Sequence, residues 1–251
     1  MNAITNSGSI VTPDGFLHWL VFFSQPLNTA NPNTPPDFLH PIEIEHWKTL
    51  KVEKRRQEWA LGRQAAKELV AGMLHDRTGR RFDPCQIAVV PHADGWPIVT
   101  LPEAAGLSAV TLSISHTHGV AFCGAVEGKN QLLGVDIEVI EPRAAGFAEE
   151  YFTPLENQFL SVAPAEQYAT LINAIWSGKE AALKAIRRGL AEDTRIVTCL
   201  PHPLMGGQSE WLPMRIEWMA GRSNHFLAPL AGYWRREGDY AMTVAFAPEA
   251  A

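Results

Sequence analysis

Three acids and two lysines are spaced so that phosphate chemistry could be built on them. The stretch LLGVDIE (132–138) reads as a buried strand, yet it carries Asp136 and Glu138 two residues apart, directly after Gly134. Side chains two apart on a strand share a face and stand about 7 Å from each other. Two carboxylates so placed can converge on a hard cation, which takes oxygen ligands. They also suit the solvent side of an ordinary sheet, with Val135, Ile137 and Val139 turned to the core.

Some forty residues later, IWSGKEAALKAIRRGL (175–190) has the period of a helix. Ile172, Ile175, Ala182, Leu183, Ile186 and Leu190 form its apolar face, and Lys179 falls inside that face. An unpaired lysine in a core is costly, so Lys179 must meet an anion, either a carboxylate or a ligand phosphate. Trp176, Glu180, Lys184 and Arg187 line one shoulder of the helix. Glu180 and Lys184 stand at i,i+4, which as a surface pair is worth only a few tenths of a kcal/mol. Gly178 costs about 1 kcal/mol in a helix interior and so predicts close approach by another backbone or by a ligand.

The elements that must position these residues are legible along the chain. Hydrophobic residues make up 46% of the 251 and charged residues 19%, enough for a proper core. Strands are expected at FLHWLVFF (16–23), at PIVT (97–100) after a turn at Asp94-Gly95, at two segments broken between His116 and Gly119, at 132–140 and in the closing GDYAMTVAFAP (238–248). The proline-rich 26–41 is a loop. Helices are expected over 42–74, from a Thr-x-x-Glu capping box at Thr153 and Glu156, and over 168–188. The order strand, helix, strands occurs twice, with a seam near 129–131. The expected fold class is α+β, two similar α/β halves, 1–130 and 131–251, packed side by side as a pseudo-dimer.

Charge narrows the function classes. The net charge is −6 with a pI of about 5.8, which argues against a general nucleic-acid coat protein. Residues 48–81 nevertheless hold ten Lys/Arg against four acids, so this segment is +6 and the remainder −12. A basic segment in an acidic chain suggests one local anionic ligand, with Arg56, Arg63 and Lys67 on neighbouring helical turns; a solvated helix face has the same composition. Cys85, Cys123 and Cys199 have no metal-type spacing and their odd number does not make a disulfide scaffold. The longest apolar run, 16–23, is of strand length, against about 20 residues for a bilayer crossing. With no basic n-region before Lys48, the expectation is a cytoplasmic protein.

GVDIE (134–138) followed by WSGKEAALK (176–184) resembles the signature of the surfactin-type 4′-phosphopantetheinyl transferases. That family pairs Gly-[Ile/Val]-Asp-x-Glu with Trp-[Ser/Cys/Thr]-x-Lys-Glu-[Ala/Ser]-x-x-x-Lys at this spacing. RRQEWALGRQAAK resembles its basic N-terminal helix, SISHTHG its Ile-Ser-His segment, EYFTPLE its Phe-[Ser/Thr]-x-x-Glu motif, and GDYAMTVAF its closing strand. Residues 1–45 and 191–230 match only loosely. Where many members have Gly-Lys-Pro near the nucleotide, this chain has Gly95-Trp96-Pro97, so Trp96 either stacks on adenine or fills space.

The resemblance implies transfer of the 4′-phosphopantetheine arm of coenzyme A to a serine of an apo acyl, peptidyl or aryl carrier protein, releasing adenosine 3′,5′-bisphosphate. It implies Mg2+ on Asp136, Glu138 and Glu180, with Glu180 also taking the serine proton. Lys179 and Lys184 would meet the pyrophosphate, and Arg56, Arg63, Ser115 and His116 the 3′-phosphate. Coenzyme A elements would lie in 1–130, metal-binding and catalytic motifs in 131–251. A monomer would suffice, with an acidic carrier docking near 143–160 and neither nucleic acid nor membrane as partner. His116 and His118 also fit a zinc pair or plain loop histidines. Two rival functions keep the same residues: a catalytically impaired homologue that binds coenzyme A or a carrier, and a Mg2+-dependent nuclease using Asp136, Glu180 and Lys184.

Overall fold

Two helix-on-sheet units follow one another along the chain, Met1–Gln131 and Leu132–Ala251. The structure is a computed structural model that describes residues 5–12, 15–23, 34–189, 192–203, 210–219 and 229–246. The fold class is α+β, with every paired strand antiparallel. Among the described residues no helix is long and apolar enough to cross a membrane.

The first unit is a six-stranded sheet in the order β1-β2-β6-β5-β4-β3. Its strands are β1 (Thr5–Thr12), β2 (Gly15–Phe23), β3 (Ala88–Pro91), β4 (Pro97–Thr100), β5 (Val110–Thr117) and β6 (Val120–Glu127). The β5–β6 hairpin turns at His118 and Gly119, both at positive φ. Strand β1 went unseen in the sequence because TNSGSIVT lacks a sustained apolar alternation. The helical region expected over 42–74 is two helices, α1 (Pro41–Thr49) and α2 (Glu53–Thr78). Leu50 and Val52 between them are extended, although neither residue type forbids a helix. The break is tertiary: α1 buries Glu43 and Trp47, while α2 lays Leu61, Ala65, Leu69, Val70 and Met73 into the core with Leu20, Leu112 and Cys123.

The second unit is a five-stranded sheet in the order β7-β11-β10-β9-β8, with β7 (Leu133–Val139) at one edge. The others are β8 (Val197–Pro201), β9 (Leu212–Trp218), β10 (Ala231–Glu237) and β11 (Tyr240–Phe246). Two short helices, α3 (Phe147–Tyr151) and α4 (Pro154–Ser161), precede the long α5 (Ala165–Ala185). The capping box at Thr153 and Glu156 opens α4 as the sequence indicates. Helix α5 joins Ala241 and Ala245 of β11 and Trp234 of β10 in one core. Leu190, expected on its apolar face, lies outside the described residues.

The two units share an order of elements: edge strand, short capped helix, long helix, then four strands, with β1 an addition to the first. They also share a buried clamp. In the first unit Glu43, third residue of α1, accepts from the His40 and Val89 backbone N–H groups and pairs with Lys67 of α2. In the second, Glu156 of α4 accepts from Thr153 N and Cys199 N and pairs with Lys179 of α5 at 2.8 Å. All four charged side chains have no exposed surface. The sequence shows little identity between halves, but HPIE (40–43) against TPLE (153–156), and AAKEL (65–69) against SGKEA (177–181), mark the equivalence.

Candidate active site

The acids of β7 face the long helix of their own unit, and Gly134 is the reason. A Cβ on Gly134 would lie 1.8 Å from the Ala181 carbonyl oxygen and 2.6 Å from Ala185 N, so only glycine lets the strand lie against the α5 backbone. Asp136 and Glu138 share the face of Gly134, and their register partners Thr243 and Ala241 lie on it too. This corrects the expected orientation, in which Val135, Ile137 and Val139 took the core side and the acids a wet side. Val135, Ile137 and Asp136 are all buried, and the acids' face is the helix-covered one. Gly178, by contrast, is approached by Cys199 of β8 and Met214 of β9, not by a ligand.

Lys184, in the last turn of α5, brings two of the acids together. Its ammonium donates to Asp136 Oδ1 at 2.6 Å, lies 3.3 Å from the Val135 carbonyl and 3.6 Å from Glu180 Oε2. Burial alone would lower its pKa, but Asp136, Glu180 and Glu138 outweigh that and hold it above the ordinary lysine value. Glu180 is pushed up to about 7, first by burial and then by the charges of Asp136 and Glu138, against the pull of Lys184. Glu138 is raised by burial and by Asp136, with Arg143 and Lys184 opposing.

Sequence reasoning missed two residues that hold Glu138. Arg143 Nη2 donates to Glu138 Oε2 at 2.6 Å, and its Nε donates to Asn173 Oδ1 at 2.6 Å. Asn173 of α5 is fully buried and its amide donates to the carbonyls of Glu141 and Ala169. The Arg143 guanidinium also lies over the Phe147 ring, 5.1 Å from its centroid. No local signal flagged Arg143, but a buried asparagine in a helix already marks a bonded partner.

Lys179 stands apart from this cluster. Its three protons are taken by Glu156 at 2.8 Å, Thr194 O at 2.9 Å and Val197 O at 2.6 Å, and no part of it is exposed. Of the two anions the sequence allowed, the structure supplies the carboxylate, and the expected contact of Lys179 with a pyrophosphate is corrected accordingly. The cause is the capping box, which turns Glu156 inward beneath α5.

The first unit holds the other candidates. Arg63 is buried, donates from Nε to the Val89 carbonyl at 2.8 Å and lies over Trp59, while Arg56 lies over Trp47. Burial lowers the Arg63 pKa, with Glu43 and Cys123 opposing. Lys67 is paired with Glu43, whose charge Arg63 also feels. His116 is exposed on the face that α2 covers, near Gly62, whereas Ser115 is buried and points to the opposite face. Trp96 stacks on His92 at 3.7 Å in the β3–β4 turn.

By register, Asp136 and Glu138 correspond to Leu20 and Phe22 in the first unit, and Lys184 to Gly72; only Glu180 has an acidic counterpart, Glu68. The acid cluster thus belongs to the second unit alone. Among the described residues no three His, Cys, Asp or Glu side chains are closed around one point as metal ligands, which leaves a zinc pair at His116 and His118 without support. At Asp136 and Glu180 the space between the acids is taken by the Lys184 ammonium.

An α+β unit whose edge strand and long helix present three carboxylates and an ammonium has the groups that phosphoryl-handling sites need: oxygen donors, a proton acceptor near neutrality and a cation. Residues 132–245 match the family model of the 4′-phosphopantetheinyl transferase superfamily. The chain is 28% identical over 141 residues to the 4′-phosphopantetheinyl transferase HetI of Nostoc sp., covering 55% of each chain. It is 31% identical over 123 residues to the 4′-phosphopantetheinyl transferase psf-1 of Bacillus pumilus, covering 49% of this chain and 48% of that one. The chain spans about half the length of the curated relatives it matches.

Proposed function

We propose that the protein transfers the 4′-phosphopantetheine arm of coenzyme A to a serine of an apo carrier protein, releasing adenosine 3′,5′-bisphosphate. The observation that supports this best is the cluster of Asp136, Glu138, Glu180 and Lys184, which lies wholly within the span matching the transferase superfamily.

The donor set fits a divalent cation. It is made of carboxylate oxygens alone, and burial, followed by the charges of Asp136 and Glu138, holds Glu180 up at about 7. Asp136, Glu138 and Glu180 would hold Mg2+, which when bound neutralises charge on the pyrophosphate. Glu180 takes the proton of the attacking serine hydroxyl. Lys184 places its ammonium on pyrophosphate oxygens and stabilises the leaving phosphate. Arg143, anchored by Asn173, fixes the carboxylate of Glu138. At the nucleotide end Arg56, Arg63, Ser115 and His116 remain the proposed contacts, while Lys179 drops out as a ligand and serves the fold.

The test is mass spectrometry of apo carriers from fatty-acid, polyketide and peptide-synthesis systems, incubated with the protein, coenzyme A and Mg2+. A gain of about 340 Da, the size of the arm, is expected on at least one. Asp136→Ala and Glu180→Gln should each abolish the gain, and Glu141→Gln, outside the cluster, should not. No gain across the carriers refutes the assignment, and cleavage of labelled DNA in its place would favour a nuclease.

A further inference from the structure

Two buried hydroxyls have no hydrogen-bond partner among the described residues, and both border the acid cluster. Thr243 of β11 is the register partner of Asp136 on β7, and both side chains leave the sheet on the face that α5 covers. Directly opposed residues hold their Cβ atoms about 4.5–5.5 Å apart, so Thr243 is the cross-strand neighbour of the Asp136 carboxylate. Ser177 comes from the helix. Asn173, Ser177, Ala181 and Lys184 form one stripe of α5, at intervals of four, four and three residues. Along that stripe Asn173 holds Arg143 and through it Glu138, Ala181 lies against Gly134, and Lys184 meets Asp136. Ser177 therefore sits between the residues that reach the two acids of β7.

Both hydroxyls are unfavourable as they stand. Neither residue has any exposed surface, and a buried hydroxyl without a partner is destabilising, which is why most such groups in folded proteins are bonded. A serine inside a helix commonly bonds back to the carbonyl four residues earlier, yet Ser177 does not. Other hydroxyls of this unit are used: Thr153 donates to Glu156 and Thr194 to the Tyr151 carbonyl. Alanine at 177 and valine at 243 would keep the packing without the penalty. Hydroxyls retained beside carboxylates suit a bound state, because a carboxylate that ligates a cation is itself oriented by hydrogen bonds from an outer shell.

We infer that Thr243 and Ser177 are positioning residues for the cation-bound form of the site, their hydroxyls donating to the carboxylates of Asp136 and Glu138 when these ligate a divalent cation. This rests on the functional reading above, which puts the cation on those acids. Neither hydroxyl meets coenzyme A or the reacting atoms. The penalty falls on the cation-free protein, and the gain in order belongs to the bound one.

Mn2+ serves as the probe, with free ion read from its electron paramagnetic resonance signal, and the Tm of the cation-free protein is measured beside it. Thr243→Val should bind Mn2+ about tenfold more weakly than wild type. It should nevertheless unfold at the wild-type Tm or above it, because an unpaired hydroxyl gives way to a methyl of the same shape. Thr243→Ser keeps the hydroxyl and should bind Mn2+ as wild type does. Ser177→Ala should repeat the valine pattern. Thr111→Val is the contrast: that hydroxyl, in the first unit, donates to the Gly128 carbonyl at 2.9 Å, so its loss should lower Tm and leave Mn2+ affinity unchanged. The inference is overturned if Thr243→Val and Ser177→Ala bind Mn2+ as wild type does, or if Thr243→Ser binds no tighter than Thr243→Val. It is equally overturned if Thr243→Val lowers Tm as Thr111→Val does, since the hydroxyl would then be bonded already in the cation-free protein. Arm transfer to a carrier, with Mn2+ affinity unmoved in the variants, would sink the inference alone. Weakened Mn2+ binding in the variants, without transfer by wild type, would uphold the inference and sink the functional reading. A wild-type protein that binds no Mn2+, with or without coenzyme A, would sink both.

Discussion

Replacing Lys179 by methionine removes one ammonium from a place where nothing else can stand in for it. The stem fits, but Glu156 loses the partner at 2.8 Å, and the carbonyls of Thr194 and Val197 lose their donor. Glu156 keeps bonds from Thr153 N and Cys199 N, which orient its carboxylate without neutralising it. Breaking a buried pair by deleting one partner costs about 3–5 kcal/mol, a large part of a typical stability of about 5–15 kcal/mol. The loss should depend on pH. Burial already holds Glu156 above the ordinary carboxylate range while Lys179 pulls it down, so its removal raises the folded value further. A carboxyl titrating higher in the folded than in the unfolded chain binds more protons when folded, so stability falls as pH rises between the two values. The deficit of Lys179→Met should therefore be smaller near pH 5 than near pH 7.5. Adding Glu156→Gln should recover about 2 kcal/mol, since the buried charge is gone. Urea unfolding followed by tryptophan fluorescence at the two pH values measures all three. A neutral-pH loss under about 1 kcal/mol, or a double variant no more stable than the single one, would refute the clamp. So would a tenfold rise in KM for coenzyme A in folded Lys179→Met, which would return Lys179 to the ligand.

Other outcomes follow from the same geometry. Gly134→Ala should cost about 3 kcal/mol or more, seen as a lowered Tm, because the new methyl overlaps helix backbone that cannot rotate away. Metal-free wild-type protein should lose stability as pH rises from about 4.5 to about 7, where Glu180 ionises against Asp136 and Glu138; Glu180→Gln should flatten that slope and be the more stable form at pH 7, by up to about 3 kcal/mol. Arg143→Met should weaken Mn2+ binding about tenfold by freeing the Glu138 carboxylate to rotate, and Arg143→Lys should restore part of it, with free Mn2+ read from its electron paramagnetic resonance signal. Equal affinity in both variants would show that Asn173 and Arg143 serve the loop alone.

Much of the architecture was readable in the chain because its signals are local. The capping box at Thr153, the alternation in 132–140 and the helical period through 172–186 depend on residues within one or two turns of each other, and these elements form where they are expected. The anion demanded by Lys179 also followed from residue type, since a lysine on an apolar face has to be paired. Which anion it meets did not follow, because Glu156 lies on another helix, and no local pattern encodes how α4 packs against α5. The facing of Asp136 and Glu138 escaped for a related reason: a strand's two faces read alike when both are buried, and only the backbone approach at Gly134 shows which one the helix covers. Arg143 and Asn173 are joined by hydrogen bonds across 30 residues of sequence, and Lys184 meets Asp136 across 48. The residue types that could do the chemistry were thus set by the sequence itself. Which lysine is sealed into the core against Glu156 and which stands among the acids of β7 was decided only when α5 settled onto its sheet, since burial and partner geometry are properties of the packed structure.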